Sequence, residues 1–170
     1  MIVLALDIAT STGACWDGPE GRPVFQTHTC PPLGLGQKCK SFAAWLDELI
    51  TVVQPGLVAV EAPLMRTRGV QLRSSIDVDR LLITMAGIAQ FVAACNGIAT
   101  TEKNVQTVKK HLTGFAHADK QAMVDRCRMI GWAVRNDHEA DAAALWSLVK
   151  SERELGWAPQ GTVLFGRRHP

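Results

Sequence analysis

Ile2-Val3-Leu4-Ala5-Leu6-Asp7-Ile8-Ala9-Thr10-Ser11-Thr12-Gly13 opens the chain. Its first five residues form an apolar run that reads as a buried strand. The strand closes on one carboxylate, Asp7, with small hydroxylated residues and a glycine behind it. A charge at the end of a buried strand is expensive unless a cation meets it. The same grammar returns at Leu57-Val58-Ala59-Val60-Glu61-Ala62-Pro63, where a β-branched-rich run again ends in an acid and proline stops the strand.

Around these two runs the remaining elements fall into place. Thr12 to Asp17 alternates and pairs back on the opening strand after a tight turn at Ser11-Thr12-Gly13, and Val24 to Thr29 makes a third strand. Phe42, Trp45, Leu46, Leu49 and Val53 recur at helical spacing over 37–53, before Pro55-Gly56. A polar loop over 64–75 precedes an apolar helix at 76–95. A strand over 97–101 and helices at 104–112, 118–130 and 137–153 complete the order, with Asn136 as the cap of the last helix. The order β-β-β-α-β-α-β-α-α-α implies a mixed five-stranded sheet flanked by helices. Residues 1–155 read as one domain and 156–170 as a basic tail ending Arg167-Arg168-His169.

The 170 residues are 47% hydrophobic and 20% charged with a net charge of +2, the composition of an ordinary folded domain. Five scattered cysteines without a C-x-x-C pair exclude a zinc-site spacing and a disulfide framework. Cys15 and Cys127 are conceivable nucleophiles, with buried inert thiols as the commoner case. The start lacks a signal-peptide pattern. The nearly apolar 81–99 stretch reads as a helix buried in a core or dimer interface rather than a membrane span. The expected location is cytoplasmic, with no membrane partner.

A third group of ligand types stands at Asn136-Asp137-His138-Glu139-Ala140-Asp141, ahead of Ala142-Ala143-Ala144. His138 and Asp141, three apart, share a helix face and suit one ion. Asp137, four before Asp141, is the alternative to His138, and Glu139 is expected to point to solvent. If the two acid-ending strands are parallel neighbours, Asp7, Glu61 and Asp141 converge, and oxygen donors with an imidazole suit Mg²⁺ or Mn²⁺ and a phosphate substrate. Residues 103–128 hold four Lys and two Arg against two Asp. With Arg66, Arg68 and Arg73 of the 64–75 loop they form a cationic surface fit for phosphates.

The sequence resembles the RuvC family of Holliday-junction resolvases. The matching motifs are Leu4-Ala5-Leu6-Asp7-Ile8-Ala9 followed by Thr10, Thr12 and Gly13; Val58-Ala59-Val60-Glu61; Val108-Lys109-Lys110, Thr113-Gly114, Ala118-Asp119-Lys120 and Met123-Val124; and His138-Glu139-Ala140-Asp141-Ala142-Ala143-Ala144-Leu145. They stand in family order across nearly the whole chain. The resemblance implies a ribonuclease H-like fold and a metal-dependent endonuclease that resolves four-way DNA junctions by paired symmetric nicks. It further implies Asp7, Glu61 and Asp141 as ligands of two Mg²⁺ ions, replaceable by Mn²⁺, with His138 at the fourth position. Lys110 or Lys109, together with Lys120, falls on the family's basic residues near the scissile phosphate. Symmetric nicking implies a homodimer, with branch-migration machinery as a possible further partner. Where the family often has an aromatic shortly after the second acid, this chain has Ala62-Pro63-Leu64-Met65, and the loop over 66–75 also differs. That divergence leans towards a phage rather than a bacterial resolvase.

Two rival readings remain. Asp7 to Gly13 also resembles the first phosphate motif of sugar-kinase and actin-like ATP-binding proteins, which need two such domains. A non-cleaving branched-DNA-binding module is the other.

Overall fold

A computed structural model of the chain describes residues 1–62 and 76–154. The strands are β1 (Val3–Asp7), β2 (Ser11–Asp17), β3 (Pro23–Thr29), β4 (Leu57–Glu61) and β5 (Ala99–Lys103). The helices are α1 (Leu35–Val53), α2 (Ile76–Cys95), α3 (Val105–Thr113), α4 (Lys120–Met129) and α5 (Asp137–Glu154). The sheet order is β3-β2-β1-β4-β5. The first three strands form an antiparallel meander, while β1, β4 and β5 run parallel. The expected mixed five-stranded sheet is what forms.

Element boundaries move where a cap decides them. Helix α4 starts at Lys120 rather than at 118, because the Asp119 side chain accepts from the backbone N–H of Ala122 and caps it. Strand β5 begins at Ala99 rather than Gly97, since Gly97 takes a left-handed φ of 67° in the turn that closes α2.

Period-two alternation in the central strands sorts their side chains into two cores. Leu4, Leu6, Val58 and Val60 pack with Phe42, Leu46, Met85 and Ala89 under α1 and α2. Val3, Ala5, Leu57 and Ala59 pack with Val108, Met123, Leu145 and Val149 under α3, α4 and α5. Each fully buried aliphatic side chain contributes about 1.5–3 kcal/mol. Ala142, Ala143 and Ala144 are fully buried, so small residues let α5 lie close to the sheet. By length and composition alone α2 could cross a membrane, yet Leu81, Met85, Ala89, Val92 and Ala93 line the α1/α2 core.

The tryptophans serve packing, as expected. Trp132 meets Trp146 edge-on at 5.9 Å, and Trp45 stacks on His28 at 4.9 Å. Trp157 and the basic tail lie outside the described residues.

Candidate active site

Strand parity decides where the two strand-end acids face. Asp7 follows Val3 and Ala5, and Glu61 follows Leu57 and Ala59, so both continue the row that looks towards α5. The register pairs Leu6 with Val60 in parallel, which makes Asp7 and Glu61 the next positions on adjacent strand ends. Helix α5 brings the third acid, Asp141.

The electrostatics of the three acids show their proximity. Burial, then Asp7 and Asp141, push the Glu61 carboxyl up to about 8, against the opposing effect of Lys109. Burial, then Asp7, push Asp141 up to about 6, with Lys109 and Lys120 opposing. A cation placed among these acids would offset the burial and charge that raise Glu61 and Asp141.

His138 Nδ1 donates to Asp7 Oδ2 at 2.8 Å. That hydrogen bond draws the imidazole towards its charged form, against the effect of burial. Asp137, the alternative to His138, is ion-paired with Lys120. The pair lowers the Asp137 carboxyl and raises the Lys120 amine, the hydrogen bond being the largest cause in each case.

The two adjacent lysines separate. Lys109 Nζ donates to the carbonyl of Ala118 at 2.7 Å and acts on both Glu61 and Asp141. Lys110 is exposed on α3 and acts on neither acid. Arg66, Arg68 and Arg73 lie outside the described residues.

Glu139 corrects the sequence reading. Expected in solvent, it is fully buried. Its Oε1 accepts from Thr27 Oγ1 at 3.1 Å, Arg135 Nε at 2.9 Å and Arg135 Nη2 at 2.6 Å. Its Oε2 accepts from the Arg135 backbone N–H at 2.7 Å. Burial alone raises the carboxyl, but the hydrogen bonds from Arg135 and Thr27 outweigh it and leave Glu139 lowered. Asn136 completes the knot. Its Nδ2 donates to Thr27 Oγ1 at 2.9 Å, and its Oδ1 caps the Glu139 N–H at 2.9 Å. The start of α5 is thereby tied to β3. The i,i+4 spacing of Arg135 and Glu139 was the legible signal for half of this knot; Thr27, 112 residues away, was not.

Gly13 is the second residue whose role sequence reasoning missed. It pairs with Asp7 in the β1/β2 ladder. A Cβ there would stand 2.0 Å from the His138 carbonyl oxygen. The bare backbone is what admits α5 close enough for His138 to reach Asp7.

No family model matches the sequence. A crossover junction endodeoxyribonuclease RuvC from Rickettsia conorii is 30% identical over 103 residues, 59% of this chain and 61% of the relative. The chain therefore spans about three fifths of the length of the curated relative it matches. The Thermus thermophilus RuvC structure superposes with a TM-score of 0.73 at 22% identity, covering 93% of this chain and 98% of that one. The chain is similar to RuvC over part of its sequence and shares the fold of the RuvC structure. A yeast mitochondrial Holliday junction resolvase superposes at a TM-score of 0.55 and 8% identity, covering 90% of this chain and 83% of that one.

For a RuvC-like chain the question is whether these residues suit a metal. Among the described residues, no three His, Cys, Asp or Glu side chains stand close enough together to hold a metal ion as they are placed; Asp7 instead engages His138. The donor chemistry nevertheless fits a hard divalent cation: carboxylate oxygens come from three elements, and two of the acids, Glu61 and Asp141, are raised by burial and by their acidic neighbours. A site that favours protons on its acids also favours a cation among them.

Proposed function

We propose that this RuvC-like chain is a metal-dependent endonuclease that resolves four-way DNA junctions, with Asp7, Glu61 and Asp141 as its metal-holding acids. One observation carries the reading: acids at two adjacent parallel strand ends lie within electrostatic reach of one on a helix, and burial together with the neighbouring acids raises Glu61 and Asp141. Mg²⁺, with Mn²⁺ as a substitute, suits such an oxygen-rich site. Two such ions, when bound, activate water for phosphodiester attack and stabilise charge on the leaving oxygen.

The chain's own groups do the rest. His138 fixes the orientation of the Asp7 carboxylate and keeps a proton at hand in its charged form. Lys109, held by the Ala118 carbonyl, presents a cation beside Glu61 and Asp141 for the scissile phosphate. Lys120 flanks the opposite side through Asp137, within electrostatic reach of Asp7 and Asp141. A Holliday junction is the substrate in the complex of the T. thermophilus RuvC relative, which supports the same substrate here. Paired nicks require two sites related by a twofold axis, so the working form is a homodimer. The outward face of α2, where Ile83 and Phe91 are 49% and 68% exposed, suits that interface.

The test is nicking of a synthetic four-way junction against a linear duplex of the same sequence, with Mg²⁺ and with EDTA. Junction-selective cleavage that needs the metal is expected. Asp7→Asn should bind the junction and fail to cut it; cutting at the wild-type rate by that variant refutes the assignment of the acids.

A further inference from the structure

Phe115 is a large apolar residue on a charged rim. It is 62% exposed and stands in the connection between α3 and α4. Lys109, Lys110 and His111 precede it and Lys120 follows it. Both ends of this connection are tied to the acid cluster: Lys109 acts on Glu61 and Asp141, and Lys120 on Asp141 and Asp7.

The connection is also stiff. Thr113 Oγ1 donates to the Lys109 carbonyl at 2.8 Å and accepts from the Phe115 N–H at 3.1 Å, tying the connection to the last turn of α3. The Ala118 N–H donates to the Phe115 carbonyl at 3.3 Å, and the Ala118 carbonyl accepts from Lys109 Nζ. His117 meets the Phe115 ring edge-on at 6.0 Å and leaves the ring in solvent. Exposing an aromatic ring on a braced segment is unfavourable for an isolated protein. Between cations that suit a phosphate backbone, such a ring is the arrangement that stacks on nucleobases. No aromatic stands anywhere in 62–75, the segment that follows Glu61.

We infer that Phe115 is a nucleobase-stacking contact, holding an unpaired or destabilised base at the junction's exchange point while Lys109 and Lys120 engage the flanking phosphates. The inference rests on the junction reading above.

The experiment uses the full chain in EDTA, so that the DNA stays intact. Four-way junctions carry 2-aminopurine at or beside the exchange point, and a linear duplex serves as reference. The wild type is expected to bind the junction in preference to duplex and to change the 2-aminopurine fluorescence. Phe115→Ala should weaken junction binding about 5- to 150-fold, the range of one lost stacking contact, and abolish the fluorescence change. Phe115→Trp should retain both, and duplex binding should stay within about twofold of wild type, since phosphate contacts dominate it. Thermal melting confirms that each variant is folded. Wild-type junction affinity and fluorescence in Phe115→Ala overturn the stacking site alone. Equal losses on junction and duplex overturn it as well. A wild type that shows no preference for the junction overturns the junction reading, and the stacking site with it.

Discussion

Gly13→Ala puts the docking of α5 to a quantitative test. The added Cβ would stand 2.0 Å from the His138 carbonyl oxygen, 2.3 Å from its carbon and 3.0 Å from the Glu139 nitrogen. All three are backbone atoms, so no rotamer relieves the clash. Restoring even the tightest tolerable contact of 3.0 Å moves the start of α5 away from β2 by about 1 Å. The 2.8 Å bond between His138 and Asp7 then leaves hydrogen-bond range, and the 3.1 Å contact of Glu139 with Thr27 stretches with it. Overpacking costs about 1–3 kcal/mol, and each weakened hydrogen bond adds about 0.5–1.5 kcal/mol. At about 2–4 °C per kcal/mol for a domain of this size, a total of about 2–6 kcal/mol lowers Tm by roughly 4–24 °C. Displacement of reacting groups by about 1 Å costs about 100-fold in rate. The assays are thermal melting by circular dichroism and single-turnover junction cleavage below the melting transition. Gly36→Ala is the control, because a Cβ there meets nothing within 4 Å; it should leave both quantities unchanged or raise Tm slightly. A Gly13→Ala protein with wild-type Tm and wild-type cleavage refutes the argument.

Further predictions concern charge and thiols. Glu139→Ala should lose about 2–4 kcal/mol in chemical denaturation, since Thr27 and Asn136 lose a buried partner, while the exposed side of Arg135 limits the damage. Because the Glu139 carboxyl is lowered on folding, its ionised form stabilises the protein above about 4.5, its ordinary value, and that stabilisation fades as pH falls through the lower folded value; the gap between wild type and Glu139→Gln in denaturation midpoint should therefore narrow below pH 4.5. Lys109→Ala should slow cleavage about 100-fold, whereas Lys110→Ala should change it less than about threefold, a contrast that single-turnover kinetics measures directly. With a thiol reagent at pH 8, exposed Cys95 should react first. Cys15 and Cys127 should react only on unfolding, being buried and, for Cys127, pushed up to about 12 by burial and then Asp141.

The parts of the site that were legible in the sequence are those governed by local pattern. Asp7 and Glu61 end apolar runs whose periodicity fixes both strand and face, and Asp141 follows from helical spacing after a recognisable cap. What stayed hidden depends on distant neighbours. Helical spacing sends Glu139 away from the His138/Asp141 face, and nothing local shows that Thr27 of β3 covers that direction. Gly13 looked like a turn residue because its steric duty is to a helix 125 positions later in the chain. That Lys109 rather than Lys110 faces the acids depends on the rotation of α3 against the sheet, which spacing along the chain does not give.

The sorting of strand side chains into two cores reaches beyond folding. Asp7, Glu61, Lys109, Lys120, His138 and Asp141 all belong to the α3–α5 side, whereas Phe42, Leu46 and Met85 fill a layer remote from them. The sheet acts as a firewall. Inward-facing positions of the α1/α2 layer answer to foldedness alone, so relatives should diverge faster there than on the side of the sheet that carries the candidate site.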